Sequence, residues 1–95
     1  MTNELQANIW DGLVGSQEEA ANLQLRSTLM RAITQKVRSW ELAQKDAALV
    51  LRVSQPRLND LLKGKIDKFS LDALVRLLAS AGLEIEVIVK EQSTA

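Results

Sequence analysis

The chain has no cysteine and no histidine. Without cysteine there are no disulfides, no thiolate nucleophile and no cysteine-ligated zinc. Without histidine as well, a transition-metal site has few ligands to draw on, and the commonest general base is missing. Net charge is also absent, because 12 Lys and Arg balance 12 Asp and Glu. That excludes a polycationic tail protein and a strongly acidic disordered chain. No apolar run approaches the roughly 18 residues of a membrane span. Met1 leads into polar residues rather than a basic and then apolar signal segment. What remains is 46% hydrophobic and 25% charged content in 95 residues, enough for one small core in one domain. The composition suits a small cytoplasmic protein that binds something, needs no cofactor and is not an enzyme.

The zero net charge hides a gradient. Residues 1–30 hold Arg26 against four carboxylates, a net −3. Residues 31–68 hold nine cations against four anions, a net +5, and residues 69–95 hold two against four, a net −2. A basic middle between acidic ends fits a polyanion contact on one face. It equally fits an unevenly charged solvated surface, and charge alone does not choose.

Gly12 and Gly15 interrupt residues 1–15, which read as an irregular N-terminal arm whose Trp10 needs packing. Ser16 and Glu19 match a capping box at the start of a long helix. Leu25, Leu29, Ile33, Val37 and Trp40 place one apolar stripe along it, with no Gly or Pro between residues 16 and 40. A short helix follows from about Ala43 to Leu51, burying Ala47, Ala48 and Leu51. Ser54 caps a third helix, with Pro56 in its first turn, Leu58, Leu61 and Leu62 inward, and Gly64 at its end. Ser70 caps a fourth, carrying Leu71, Leu74, Val75, Leu78 and Ala81, closed by Gly82.

Beyond Gly82 the apolar period changes from 3.6 to 2. Leu83, Ile85, Val87 and Val89 alternate with Glu84, Glu86, Ile88 and Lys90, so residues 83–90 read as a strand. Residues 91–95 read as a frayed tail. A lone strand leaves its backbone unpaired. The favoured partner is the same strand of a second copy across a two-fold axis, and residues 5–10 are the alternative. The expected fold is mainly α, with four to five helices and one C-terminal strand. The domain spans residues 16–90 and dimerises through Leu83, Ile85, Val87 and Val89.

Residues 43–62 carry two short helices joined by a tight turn, the pattern of a helix-turn-helix. Its second helix enters the major groove of DNA with N-terminal residues at the base edges. With the leucines inward, Gln55, Arg57, Asn59 and Asp60 remain for the outer surface. Gln and Asn suit adenine, and Arg suits guanine. Ser54 and Gln44, at helix starts, could hold phosphate, and Lys63 and Lys65 could grip the next phosphates. Asp60 either accepts from cytosine or, the favoured reading, pairs with Arg57 or Lys63. The competing interpretation is a helical hairpin that serves as a protein-interaction scaffold, using the strand edge or the arm around Trp10.

Three runs carry a resemblance: Gln44-Lys45-Asp46-Ala47-Ala48, Val53-Ser54-Gln55-Pro56-Arg57-Leu58 and Leu61-Leu62-Lys63-Gly64-Lys65. Together they resemble the Cro/repressor-type (XRE) helix-turn-helix family. The Gly64–Leu71 linker, the start of the long helix at Asn22-Leu23 and the Ala81-Gly82-Leu83 junction are similar to antitoxin-like regulators of the HigA type. The resemblance covers roughly residues 8–90. It implies a dimeric repressor of a palindromic operator that pairs with a RelE/HigB-like toxin. It also implies base reading by Gln55, Arg57, Asn59 and Asp60, with Pro56 on a thymine methyl. The sequence departs from the family at Arg52 and at Trp40-Glu41, where the family often has Gly. Trp40 is expected in the core.

Overall fold

The computed structural model describes residues 5–92, with side chains from Ser16 to Gln92. Four α-helices form in the order α1 (Leu5–Ser39), α2 (Gln44–Leu51), α3 (Gln55–Leu62) and α4 (Leu71–Ser80). A single 3-10 turn, Ile66–Lys68, bridges α3 and α4. The 35 residues of α1 make a rod about 52 Å long.

The helix begins eleven residues earlier than Ser16, so the described part of the expected irregular arm, residues 5–15, is helical. Gly12 and Gly15 each cost about 1 kcal/mol relative to Ala but keep their amides, so they weaken a helix without breaking it. Ser16 and Glu19 therefore lie inside α1 rather than capping it. The packing expected of Trp10 and the fraying expected of residues 93–95 lie outside the described residues.

One core joins all four helices. From α1 it takes Leu29, Met30, Ile33 and Val37, and from α2 Ala47, Ala48 and Leu51. Leu58 and Leu61 of α3, Phe69 of the linker and Leu74, Leu77, Leu78 and Ala81 complete it. Trp40 packs half-buried against this cluster. Two positions depart from the expected stripes. Leu25 is 47% and Val75 40% exposed. On α4 the buried stripe is Leu74, Leu77, Leu78 and Ala81, spaced i, i+3, i+4, i+7, which turns Val75 outward.

The helix ends share one device. At α2 the Arg52 amide donates to Leu49 O at 3.2 Å and the Val53 amide to Ala48 O at 3.0 Å, with Arg52 left-handed at φ 62°. This is the paired Schellman closure, repeated after α3 with Gly64 and after α4 with Gly82. Arg52 thus adopts the usual turn despite its side chain, and Glu41 after α1 is also left-handed, at φ 54°, with its amide on Arg38 O at 3.2 Å. A side chain in this region costs about 1–2 kcal/mol. Arg52→Gly should raise stability by about 1 kcal/mol, some of the gain being lost to the freer unfolded chain. A lower melting temperature for the variant would contradict this.

The expected strand is not formed. Residues 83–92 carry no regular secondary structure, and among the described residues their only backbone bond is the Leu83 amide to Leu78 O, part of the cap of α4. The alternating pattern is present, but a strand requires a partner ladder, and the described residues of one chain offer none. Among the described residues no helix is long and apolar enough to cross a membrane.

Candidate nucleic-acid interface

The start of α3 is fixed locally. The Ser54 hydroxyl accepts the Arg57 amide at 3.2 Å, and Pro56 occupies the first turn, where its missing amide costs little. Leu58 and Leu61 are fully buried, so the helix cannot rotate about its axis. That leaves Gln55 and Pro56 exposed and Asn59 half-buried on the outer side. Gln44 is exposed at the first position of α2, and no side chain caps that helix, since Ala43 precedes it. The amides of its first turn are thus open to an anion. Ser54 and Lys63 are also exposed, and Lys63 has no ion-pair partner among the described residues.

Arg57 and Asp60 are placed differently from Gln55. The Arg57 guanidinium donates to Lys68 O at 2.8 Å and lies 4.1 Å from the centroid of the Phe69 ring. It is engaged with the linker rather than projecting freely from α3. Asp60 forms the expected salt bridges, but with Lys65 at 3.3 Å and Lys68 at 3.6 Å instead of Arg57 or Lys63. The cause is the left-handed turn at Gly64, which folds the chain back so that the Lys65 amide reaches Asp60 O at 3.0 Å. Lys65, expected to grip phosphate, is therefore already paired.

Burial raises the pKa of the Asp60 carboxyl, but the hydrogen bond and charge of Lys65 and the charge of Lys68 outweigh it. The group sits below the usual carboxylate range. A depressed carboxyl stabilises the fold above its unfolded value of about 3.9 and loses that contribution as pH falls through the folded value. Asp60→Asn should therefore lower the melting temperature at neutral pH, and the difference from wild type should shrink below about pH 4. A difference that stayed constant across that range would exclude the ionic contribution.

Two residues not singled out by sequence reasoning hold this site. Arg26 of α1 donates to Ile66 O at 3.1 Å and Phe69 O at 3.3 Å, while its Nε bonds Asn22 at 2.6 Å. Phe69 is 1% exposed. Arginines from two helices thus satisfy carbonyls of one linker, and the linker fixes α3. Phe69 could have been suspected as the only Phe in the chain. Arg26 carried no sequence signal.

Of the expected dimerisation residues, Leu83 is half-buried on the core. Ile85 is 43%, Val87 73% and Val89 88% exposed. Ile85, Val87 and Ile88 border an apolar groove completed by Leu25, Leu29, Leu71 and Val75.

No curated protein matches the chain significantly. A family model described as a helix-turn-helix domain matches residues 15–90 of the 95. The match takes in the helix pair at 44–62, the linker beneath it and most of the 35-residue α1. Helix-turn-helix domains are DNA-binding modules, typically without catalytic activity. The chain belongs to this helix-turn-helix domain family.

Proposed function

We propose that the chain is a sequence-specific transcriptional repressor that binds a palindromic operator as a homodimer. The observation that carries this reading is the free outer surface of α3, a helix held rigidly by its cap and two buried leucines. Gln55 and Asn59 read base edges there, and Pro56 meets a thymine methyl. Gln44, Ser54 and Lys63 contact phosphates, joined by Lys65 when it exchanges Asp60 for the DNA. Arg57 and Asp60 support the reading helix from behind through the contacts that already occupy them.

The dimer forms through residues 83–90. Apart from the Leu83 amide their backbone groups are unpaired among the described residues, and Ile85, Val87, Ile88 and Val89 are exposed beside an apolar groove. Antiparallel pairing with a second copy would satisfy both at once. Two copies would set two recognition helices about 34 Å apart, one turn of DNA. Selection of bound duplexes from random DNA should recover a palindrome with half-sites one turn apart, carrying two chains. Recovery of single, unpaired half-sites would refute the dimeric reading.

The resemblance to HigA-type regulators adds a narrower role, that of antitoxin to a RelE/HigB-like toxin in the cytoplasm. Residues 16–25 of α1 are exposed throughout and carry Glu18 and Glu19, a surface suited to a basic partner. Co-purification with the product of the neighbouring gene tests this role. A gene with no toxic neighbour would remove it and leave the repressor.

A further inference from the structure

We infer that a face of α1 forms a second phosphate-binding track, gripping the DNA backbone beside the half-site. This rests on the DNA-binding reading above. Arg31, Gln35 and Arg38 are spaced i, i+4 and i+7, so they share one side of α1, and all three are exposed. They line an open groove between α1 and the chain leaving α3, with Thr34 and Gly64 beside them. No carboxylate lines that groove. From Arg26 to Ser39, α1 carries four cations and no anion.

The partners of the other cations sharpen the point. Lys65 and Lys68 are paired with Asp60, and Arg57 is bonded to the linker. Arg31 has no ion pair or hydrogen bond among the described residues. Arg38 makes one long bond, 3.4 Å to Leu62 O, which stations its guanidinium at the end of α3 next to Lys63. Arg31 and Arg38 thus bring positive charge to this groove that no carboxylate offsets, whereas Asp60 offsets that of Lys65 and Lys68. Guanidinium groups suit phosphate oxygens because their planar donors match them two at a time.

The position fits the dimensions of DNA. Eight residues make α3 about 12 Å long, about the width of the major groove. A helix with its N-terminal end at the base edges brings its other end to the phosphates that wall the groove. The α1 track begins at that end.

The test is the salt dependence of DNA binding by the full chain, for wild type, Arg31→Gln and the Arg31→Gln/Arg38→Gln pair. Fluorescence anisotropy would be read on a duplex from upstream of the gene and on a scrambled duplex. Each lost phosphate contact should reduce the slope of log Kd against log salt by about 0.9, so by nearly two per chain for the pair. The loss of affinity should be equal on both duplexes. Arg31→Gln removes no ion pair or hydrogen bond seen among the described residues, so its result stands even if the pair is unstable. Unchanged slopes in a wild type that binds DNA overturn the α1 track alone. A wild type that binds neither duplex overturns the DNA-binding reading itself.

Discussion

Phe69→Ala should lower the stability of the chain by about 3–5 kcal/mol, the usual cost of deleting a buried aromatic ring. Small domains have about 5–15 kcal/mol in total, so the variant should be close to unfolding at physiological temperature. The ring is 1% exposed and is the only Phe in the chain. It also does more than fill space. Arg57 of α3 stacks on it at 4.1 Å, and Arg26 of α1 bonds the carbonyl of the same residue at 3.3 Å. Its loss would leave the Arg57 guanidinium beside a cavity and loosen α3 from the linker, although the carbonyls that Arg57 and Arg26 bond would remain. Urea denaturation checks the prediction directly. A loss below about 1 kcal/mol would mean that the linker closes over the gap and that α3 is held by its leucines alone.

Gln55→Ala and Arg57→Ala should both weaken DNA binding, but in distinguishable ways. Gln55 is exposed, so its removal should leave stability within about 0.5 kcal/mol. If it reads a base, affinity should fall by about 1–3 kcal/mol, or roughly 5- to 150-fold, on the preferred site. The penalty should vanish on duplexes already mutated at the contacted base pair. Arg57→Ala loses a charged hydrogen bond and a ring stack, and should cost about 1–3 kcal/mol of stability. Its effect on binding should be similar across sequences, because a tilted helix weakens every contact. Binding to duplexes substituted at each position separates the two. A base-specific effect from Arg57 would mean that its guanidinium leaves Phe69 on DNA and reads guanine.

Most of the helical frame was legible in the sequence. Ser54, Ser70, Gly64 and Gly82 mark helix boundaries through local chemistry, and the structure uses each in that role. Arg52 was legible as a departure, and it adopts the left-handed turn all the same, because Leu51 and Val53 on either side are tied into the core. The start of α1 was misread because two glycines resemble a break, although glycine weakens a helix far less than proline. The strand is absent among the described residues of the single chain for a different reason. Alternation reports which side chains share a face, whereas a strand also needs a second backbone, and a single chain does not say where that comes from. At the site, exposure of Gln55 followed from the leucine spacing. The engagement of Arg57 did not, because Phe69 and the carbonyl of Lys68 reach it only through the fold of the linker.

The most direct test of the central claim is an anisotropy titration of the full chain on the duplex upstream of its own gene, against a scrambled duplex, at several salt concentrations. Specific binding should exceed scrambled binding by about 10³-fold or more and weaken steeply with salt. Equal binding to both duplexes, or affinity flat with salt, would contradict the repressor and leave a helix-turn-helix serving only as a scaffold.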